Sequence, residues 1–220
     1  GRGLFKFIPQ QLLFRSHVNP GRTGDPGQRY PIGGMAEDRS GRIWLGTYGG
    51  GLFRYSPDPG SHEHFPLAAS RPDRARFQTV RVLCHTRQDE LWAATNGGLV
   101  RLQTATGEQE VFPADAGDPA SLGFTGVASI CEDSHGDVWI GSDFCLLRWE
   151  RHRRSFKRYL AAAADPGSLS SSHVNPILED RAGNVWVGTE NGLNLYDRGR
   201  DRFRRYFLDP PDADKETQNY

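Results

Sequence analysis

The sequence has no net charge, few cysteines and no long apolar run, and each shortage narrows what the chain can be. Its 27 Lys and Arg residues are matched by 27 Asp and Glu. A general nucleic-acid binder needs a basic field to displace counterions from phosphates, so that class is excluded. No stretch approaches the roughly 20 consecutive apolar residues with which a helix spans a bilayer. Three cysteines cannot close a disulfide framework. Cys84 and Cys131 each lie eight residues before a recurring tryptophan, where the sequence elsewhere has Ala36 and Leu178. A small buried side chain explains all four, and a bridge between neighbouring repeats would need Cα atoms within about 7 Å, which spacing does not establish. Cysteine usage therefore leaves the redox compartment open. Phosphate-cradling glycine loops and nucleophile motifs are missing. No helical pattern is visible. No secretory leader opens the sequence, which begins inside a repeat, so compartment is not read from that.

What is plentiful is turn chemistry and aromatic anchors: 26 Gly, 14 Pro and 11% Phe, Trp and Tyr. That mixture suits many short strands joined by tight turns. Four segments align: "MAEDRSGRIWLGTYGGGLFRYSP", "LCHTRQDELWAATNGGLVRLQ", "ICEDSHGDVWIGSDFCLLRWE" and "LEDRAGNVWVGTENGLNLYDR". Their tryptophans, Trp44, Trp92, Trp139 and Trp186, stand 48, 47 and 47 residues apart. Trp149 falls outside this column and aligns with Tyr55, Leu102 and Tyr196. A period of 40–50 residues built from short strands is the signature of propeller blades.

Each repeat reads as four antiparallel strands. An apolar inner strand ends in Glu-Asp, and a turn follows with Gly41, Gly136 or Gly183 three residues before the tryptophan. Asp38, Asp133 and Asp180 can bond backbone N–H groups in that turn. The second strand carries the tryptophan, with Gly46, Ala94, Gly141 or Gly188 two residues on, where little room is expected. The third strand begins after a short loop, and Phe65, Val111–Phe112, Phe156–Tyr159 and Phe203–Tyr206 mark the outermost one. The expected fold is an all-β propeller with four complete blades, at 30–75, 76–121, 122–171 and 172–220, the last including a linker. Residues 1–29 read as a partial blade, with outer strands at 3–7 and 11–15, followed by a linker. The tail at 208–220 offers no segment to complete that half blade, so an open arc of a larger ring, about seven-bladed, is expected.

The pattern "ED..G.(I/V)W(L/I/V)GT..GL..Y" and the linker "DPGSLSSSHV" resemble the two-component regulator propeller repeat. Two repeats depart from it: His85-Thr86 replaces Glu-Asp, and "SDFCLL" replaces the usual hairpin, with Cys145 at a loop-glycine position that implies strain or a different shape. The resemblance implies a bacterial, periplasmic, ligand-sensing segment of an inner-membrane receptor, either a hybrid histidine kinase or a diguanylate cyclase. It implies as partners a small-molecule or oligosaccharide ligand, the remaining blades of the parent and a receptor dimer. It implies no nucleic acid and no cofactor, and membrane attachment only through other segments. The segment itself would not be an enzyme. A non-sensory interaction scaffold and a propeller lyase are the alternatives.

In a blade, the loops between strands two and three and the returns to the next inner strand share one face, and loops on a rigid scaffold carry function. The first set offers Thr47, Tyr48, Thr95, Asn96, Asp143, Phe144, Glu190 and Asn191; the second offers Arg81, Phe124, His173 and Asn175. The ligand-binding candidates are Tyr48, Asn96, Phe144, Glu190, Asn191, Arg81 and Asn175, whose amides, carboxylate and aromatics suit a neutral polyol. The threonines read as hairpin hydrogen-bonders. His62 and His64 alternate on one strand, but two ligands are too few for a closed zinc site, so no metal is expected. The basic runs "RHRRSFKR" (151–158) and "RGRDRFRR" (198–205) read as charges that protect outer edges from pairing.

Overall fold

The computed structural model describes residues 4–8, 13–17, 30–56, 61–114, 122 and 126–207. The chain divides into two compact units, residues 1–125 and 126–220. Unit one opens with a two-stranded antiparallel hairpin, β1 (Leu4–Ile8) and β2 (Leu13–His17). The strands lie one and two residues later than the sequence suggests.

Two four-stranded antiparallel sheets follow in unit one. The first is β3 (Ile32–Glu37), β4 (Ile43–Thr47), β5 (Gly51–Tyr55) and β6 (His62–Phe65). The second is β7 (Val80–His85), β8 (Glu90–Thr95), β9 (Gly98–Gln103) and β10 (Gln109–Pro113). Unit two repeats the plan. One sheet is β11 (Val127–Glu132), β12 (Val138–Ser142), β13 (Leu146–Glu150) and β14 (Ser155–Tyr159). The other is β15 (Val174–Glu179), β16 (Val185–Thr189), β17 (Gly192–Asp197) and β18 (Arg202–Tyr206). All four sheets are simple meanders, so each is one blade.

The tryptophans occupy one register position. Trp44 faces Ala36, Trp92 faces Cys84, Trp139 faces Cys131 and Trp186 faces Leu178. Trp44, Trp92 and Trp139 are wholly buried, each an apolar anchor of the kind that contributes about 1.5–3 kcal/mol or more on burial. In unit one Trp44 and Leu52 pack with Val80, Leu83, Leu91 and Val100 of the next blade. In unit two Trp139 and Leu146 pack with Val174, Val185, Val187 and Tyr196.

The turn aspartates do more than cap backbone. Asp133 accepts from the N–H groups of His135 and Asp137 and from Trp139 Nε1 at 2.8 Å. Asp38 and Asp180 bond Trp44 and Trp186 in the same way, at 3.2 and 2.8 Å. Each carboxylate thus ties the turn to its own tryptophan, which fixes the indole that the neighbouring blade packs against. In the second blade Thr86 cannot supply that carboxylate, and its hydroxyl instead accepts from the N–H of Glu90.

Glycine is required where blades approach. A Cβ at Gly34 would lie 2.9 Å from the carbonyl oxygen of Arg81, and one at Gly141 would lie 2.9 Å from Val174 Cγ1. The tightness expected two residues after each tryptophan is real: besides Gly141, a Cβ at Gly46 would lie 2.6 Å from Val80 Cγ1 and one at Gly188 would lie 2.5 Å from Pro176 Cγ.

One expectation changes, and the Cys145 hairpin takes the second of its two expected forms, a different shape rather than strain. The chain is not helix-free: Arg74–Phe77 forms one 3-10 turn, held by Phe77, which is buried in the core between the first two blades. The hairpin at Cys145 is not strained. Gly51, Gly98 and Gly192 adopt φ of +79°, +127° and +110°, whereas Cys145 is not among the positive-φ residues. Ser142 Oγ accepts from the N–H groups of Phe144 and Cys145 and donates to the Cys145 carbonyl, which closes the loop without left-handed backbone. The three cysteines form no disulfide with one another.

Candidate functional site

All four hairpins between second and third strands are closed by a hydroxyl. Thr47, Thr95, Ser142 and Thr189 donate to the carbonyls of Gly51, Gly98, Cys145 and Gly192 at 2.7–3.0 Å. These side chains serve the loop, and the residue after each is left to face outward. Those residues are Tyr48, Asn96, Asp143 and Glu190.

A second device aims the inner strands. Each pairs irregularly with its neighbour near its start: between Val80 and Val82 in β7, and between Val174 and Ile177 in β15. Arg81 and Asn175 lie within these irregularities and both are exposed. A bulge bends a strand and re-aims a side chain, which is why such features recur beside sites. Pro176, beside Asn175, has no N–H to leave unpaired there.

In unit one these devices gather three of the candidates. Tyr48 forms a β-bridge with Thr79, and the N–H of Asn96 donates to the Thr79 carbonyl at 3.3 Å. A Cβ placed on Gly33 would touch both Tyr48 Cε2 and Arg81 Cα, at 3.0 and 3.2 Å. The Tyr48 ring therefore lies close to the backbone of Arg81, and 46% of the residue remains exposed.

Unit two has the same frame with different chemistry. The N–H of Glu190 donates to the carbonyl of His173, the position corresponding to Thr79, also at 3.3 Å. His173 Nε2 lies 3.4 Å from Asp143 Oδ1, and Nδ1 lies 3.6 Å from Glu190 Oε1. One imidazole thus stands between two carboxylates contributed by two blades. Gly126 makes room for one of them, since a Cβ there would come within 2.4 Å of Asp143 Oδ2. Phe144 is 60% exposed beside Asp143, and Asn191 and Asn175 are exposed nearby in sequence.

All seven candidate residues are therefore exposed on loops or bulges, in two groups described separately. Phe124 lies outside the described residues. His173 and Asp143, present in the loop sets but not singled out, form the centre of the unit-two group. Among the described residues no group of His, Cys, Asp and Glu could hold a metal ion. His62 and His64 instead pack on the Phe53 ring, at 6.1 and 4.8 Å.

Several cations of the basic runs clamp blades. Arg198 donates to Asp133 of the preceding blade at 2.5 Å, and Lys157 and Tyr159 meet Asp201 of the following one. Arg205 donates to the carbonyls of Asp165, Ser168 and Leu169. Between β13 and β17, Arg148 is buried against Glu150, the Tyr196 hydroxyl and three aromatic rings. Burial pushes the Tyr159 hydroxyl well above the usual phenol range, with the neighbouring Tyr196 adding to the effect.

The repeated four-stranded meander and its tryptophan column define a β-propeller repeat protein. Three segments, 26–49, 121–144 and 168–191, match the family described as two component regulator propeller. Solved structures share the fold. The extracellular domain of a hybrid two component system from B. thetaiotaomicron aligns at 23% identity and a TM-score of 0.69, covering 93% of this chain and 25% of that one. PorZ, a surface component of the type-IX secretion system of Porphyromonas gingivalis, aligns at 18% identity and 0.67, covering 94% and 31%. A virginiamycin B lyase from Staphylococcus aureus, inactive and with quinupristin, aligns at 16% and 0.63, covering 86% and 59%. The chain spans about a quarter of the length of the first of these. No curated protein matches the chain in sequence. Among the described residues no helix is long and apolar enough to cross a membrane.

Proposed function

We propose that this propeller segment is a ligand-binding part of the periplasmic input domain of a bacterial receptor, and that its ligand is a neutral, polyol-like molecule such as an oligosaccharide. The observation that carries the reading is the cluster Asp143–His173–Glu190 beside exposed Phe144. Carboxylates and imidazole supply hydrogen-bond acceptors and a donor, and an exposed ring offers a flat apolar face; together these suit a molecule with hydroxyls on its edges and C–H groups on its faces. The equivalent group in unit one, Tyr48, Arg81 and Asn96, keeps the frame and offers a phenol, a guanidinium and an amide instead. Lys157, Arg198, Arg202 and Arg205 of the basic outer edges are engaged with acids and carbonyls of the neighbouring blade or its linker, which argues against an anionic polymer. The test is a thermal-shift screen of the purified protein against neutral oligosaccharides, followed by Asn96→Ala and Glu190→Ala. A ligand at 100 times its Kd stabilises by about 2.7 kcal/mol, and the substitutions should reduce that gain without lowering ligand-free stability. Binding that survives both, but is lost on neutralising Arg153, Arg154, Arg204 and Arg205, would reject the assignment.

The same cluster gives one observation in favour of a lyase, because an imidazole held by carboxylates is the arrangement a general base needs. Mass spectrometry of quinupristin incubated with the protein separates the two: a ring-opened product that disappears in His173→Ala favours the enzyme.

A further inference from the structure

In every blade the first residue of the hairpin tip donates its N–H to the carbonyl just before its own inner strand. Tyr48 donates to Pro31, Asn96 to Thr79, Asp143 to Gly126 and Glu190 to His173, at 2.9–3.3 Å. Two of these residues also meet the tip of the preceding blade, Thr79 through its bridge with Tyr48 and His173 through Asp143. The position is thus a junction between two tips. Proline, threonine and glycine hold it in the first three blades, and only the fourth places a titratable side chain there. Only the third and fourth blades carry acids at the first tip position, so base and acids coincide at one seam.

His173 Nε2 faces Asp143 across that seam and Nδ1 faces Glu190 of its own blade, at 3.4 and 3.6 Å. A neutral imidazole carries one N–H, and its other nitrogen is an acceptor. It can donate to one of the two carboxylates, while a lone pair faces the other. A second proton makes both nitrogens donors and gives the ring a charge that attracts both acids. Both separations exceed ordinary hydrogen-bond length, and the side chain is 35% exposed, so small rotations make or break either contact. The backbone does not move with that choice, because the His173 N–H is held by Ser171 Oγ and its carbonyl by Glu190. Other charges on the packed elements are engaged elsewhere. Arg158 acts on the Cys145 thiol, Asp165 of the linker pairs with Arg202, and Arg205 holds linker carbonyls.

We infer that His173 is a proton switch on the ligand face. With the ring charged, both tips are clasped to it and oxygens of Asp143 and Glu190 are taken. With the ring neutral, at least one carboxylate is released to accept from a hydroxyl. The consequence for binding rests on the proposed ligand reading: a neutral polyol displaces the second proton, so its affinity falls as the pH drops through about 8 to 5, where imidazoles titrate. By linkage, one proton changes affinity by at most about tenfold per pH unit.

The first test needs no ligand. In nitrogen–proton correlation spectra of the 220-residue chain, the Phe144 and Asn191 amides should shift together through that pH range, and in His173→Gln neither should. Asp143→Asn should silence Phe144 and spare Asn191, and Glu190→Gln should do the reverse. A Phe144 response that survives Asp143→Asn or His173→Gln overturns the inference. If His173→Gln disturbs the β15 resonances, His173→Asn takes its place. The second test is calorimetry with a mixture of neutral gluco-oligosaccharides at about pH 5.5 and about pH 7.5. Affinity should be several-fold to about a hundredfold weaker at the lower pH, and equal at both in His173→Gln. Equal wild-type affinities overturn the switch. If no oligosaccharide binds at either pH, the ligand reading fails, and the amide titration alone decides the clasp.

Discussion

Replacing Asp133 with alanine removes four contacts at once from a residue with no solvent-exposed surface. Two are turn N–H groups, from His135 and Asp137 at 3.0 Å each. One is the indole N–H of Trp139, and the last is Arg198, reaching across from the next blade. A net hydrogen bond is worth about 1 kcal/mol, but stranding a buried donor costs about 1–3 kcal/mol. Arg198 contributes less to the loss, because its side chain is 32% exposed and Asp137 Oδ2 stands 3.5 Å away to receive it. The expected loss is about 3–5 kcal/mol, in the range for breaking a buried charged contact. Asp133→Asn keeps an acceptor for the turn and should lose about 2 kcal/mol. The same alanine substitution at Asp180, which is partly exposed, should cost far less. With two compact units a single global midpoint is the wrong readout, so the loss is measured from hydrogen exchange of the β12 and β13 amides. At about 1.4 kcal/mol per tenfold, Asp133→Ala should speed exchange by roughly a hundred- to a few-thousand-fold. A change below tenfold, or one equal to that of Asp180→Ala, would refute the view that a buried carboxylate holds turn, indole and neighbouring blade together.

Other outcomes follow from the same geometry. The Asp180 carboxyl is held at about 2 by hydrogen bonds from Trp186 and Asn184, and at Asp38 the upward push of burial is outweighed by Ser40 and Arg42, again to about 2. Because both folded values are depressed, their stabilisation is complete above pH ~4 and fades as the pH falls toward ~2; tryptophan fluorescence during acid titration should show this, with a shallower loss in Asp38→Asn and Asp180→Asn. Gly34→Ala should destabilise the first two blades by about 1–3 kcal/mol, since the Cβ meets the backbone of Arg81 and Leu83, and unchanged hydrogen exchange of the β4 and β8 amides would contradict the tight approach. Burial pushes the thiols of Cys131 and Cys145 up, so native protein at pH 8 should react slowly at both with a thiol reagent and rapidly once unfolded.

The blade plan was legible because it rests on local signals repeated four times: an Asp-containing turn, a tryptophan, a tight residue two positions on and a hydroxyl-closed loop. Repetition converted weak signals into a firm one. What stayed hidden depends on neighbours distant in sequence. The Asp133–Trp139 bond is local, six residues apart, and could have been suspected from the pairing of turn aspartate with tryptophan in three repeats and the loss of the aspartate at Thr86. The meeting of Asp143, His173 and Glu190 could not, since it needs two hairpins and a strand start from different blades to be brought together. His173 read alone was one of five histidines scattered over different blades. The bulges that aim Arg81 and Asn175 were equally invisible, because a bulge is a mismatch between two strands and neither strand announces it. Nor did residues 70–78 carry a helical period; the 3-10 turn there exists because Phe77 is anchored.

The hydroxyl that closes each hairpin has a consequence for how such a protein can change. Thr47, Thr95, Ser142 and Thr189 complete the loop with their own oxygen, so the next side chain is under no structural obligation. Within this one chain that position is already a phenol, an amide, a short acid and a long acid. Folding and recognition are thus written on adjacent residues but in separate inks. A gene that duplicates its blades obtains, with each copy, a fresh position that can be altered by a single codon while the blade around it stands unchanged. Diversity of ligands in a propeller of this construction requires no new loops, only new tips.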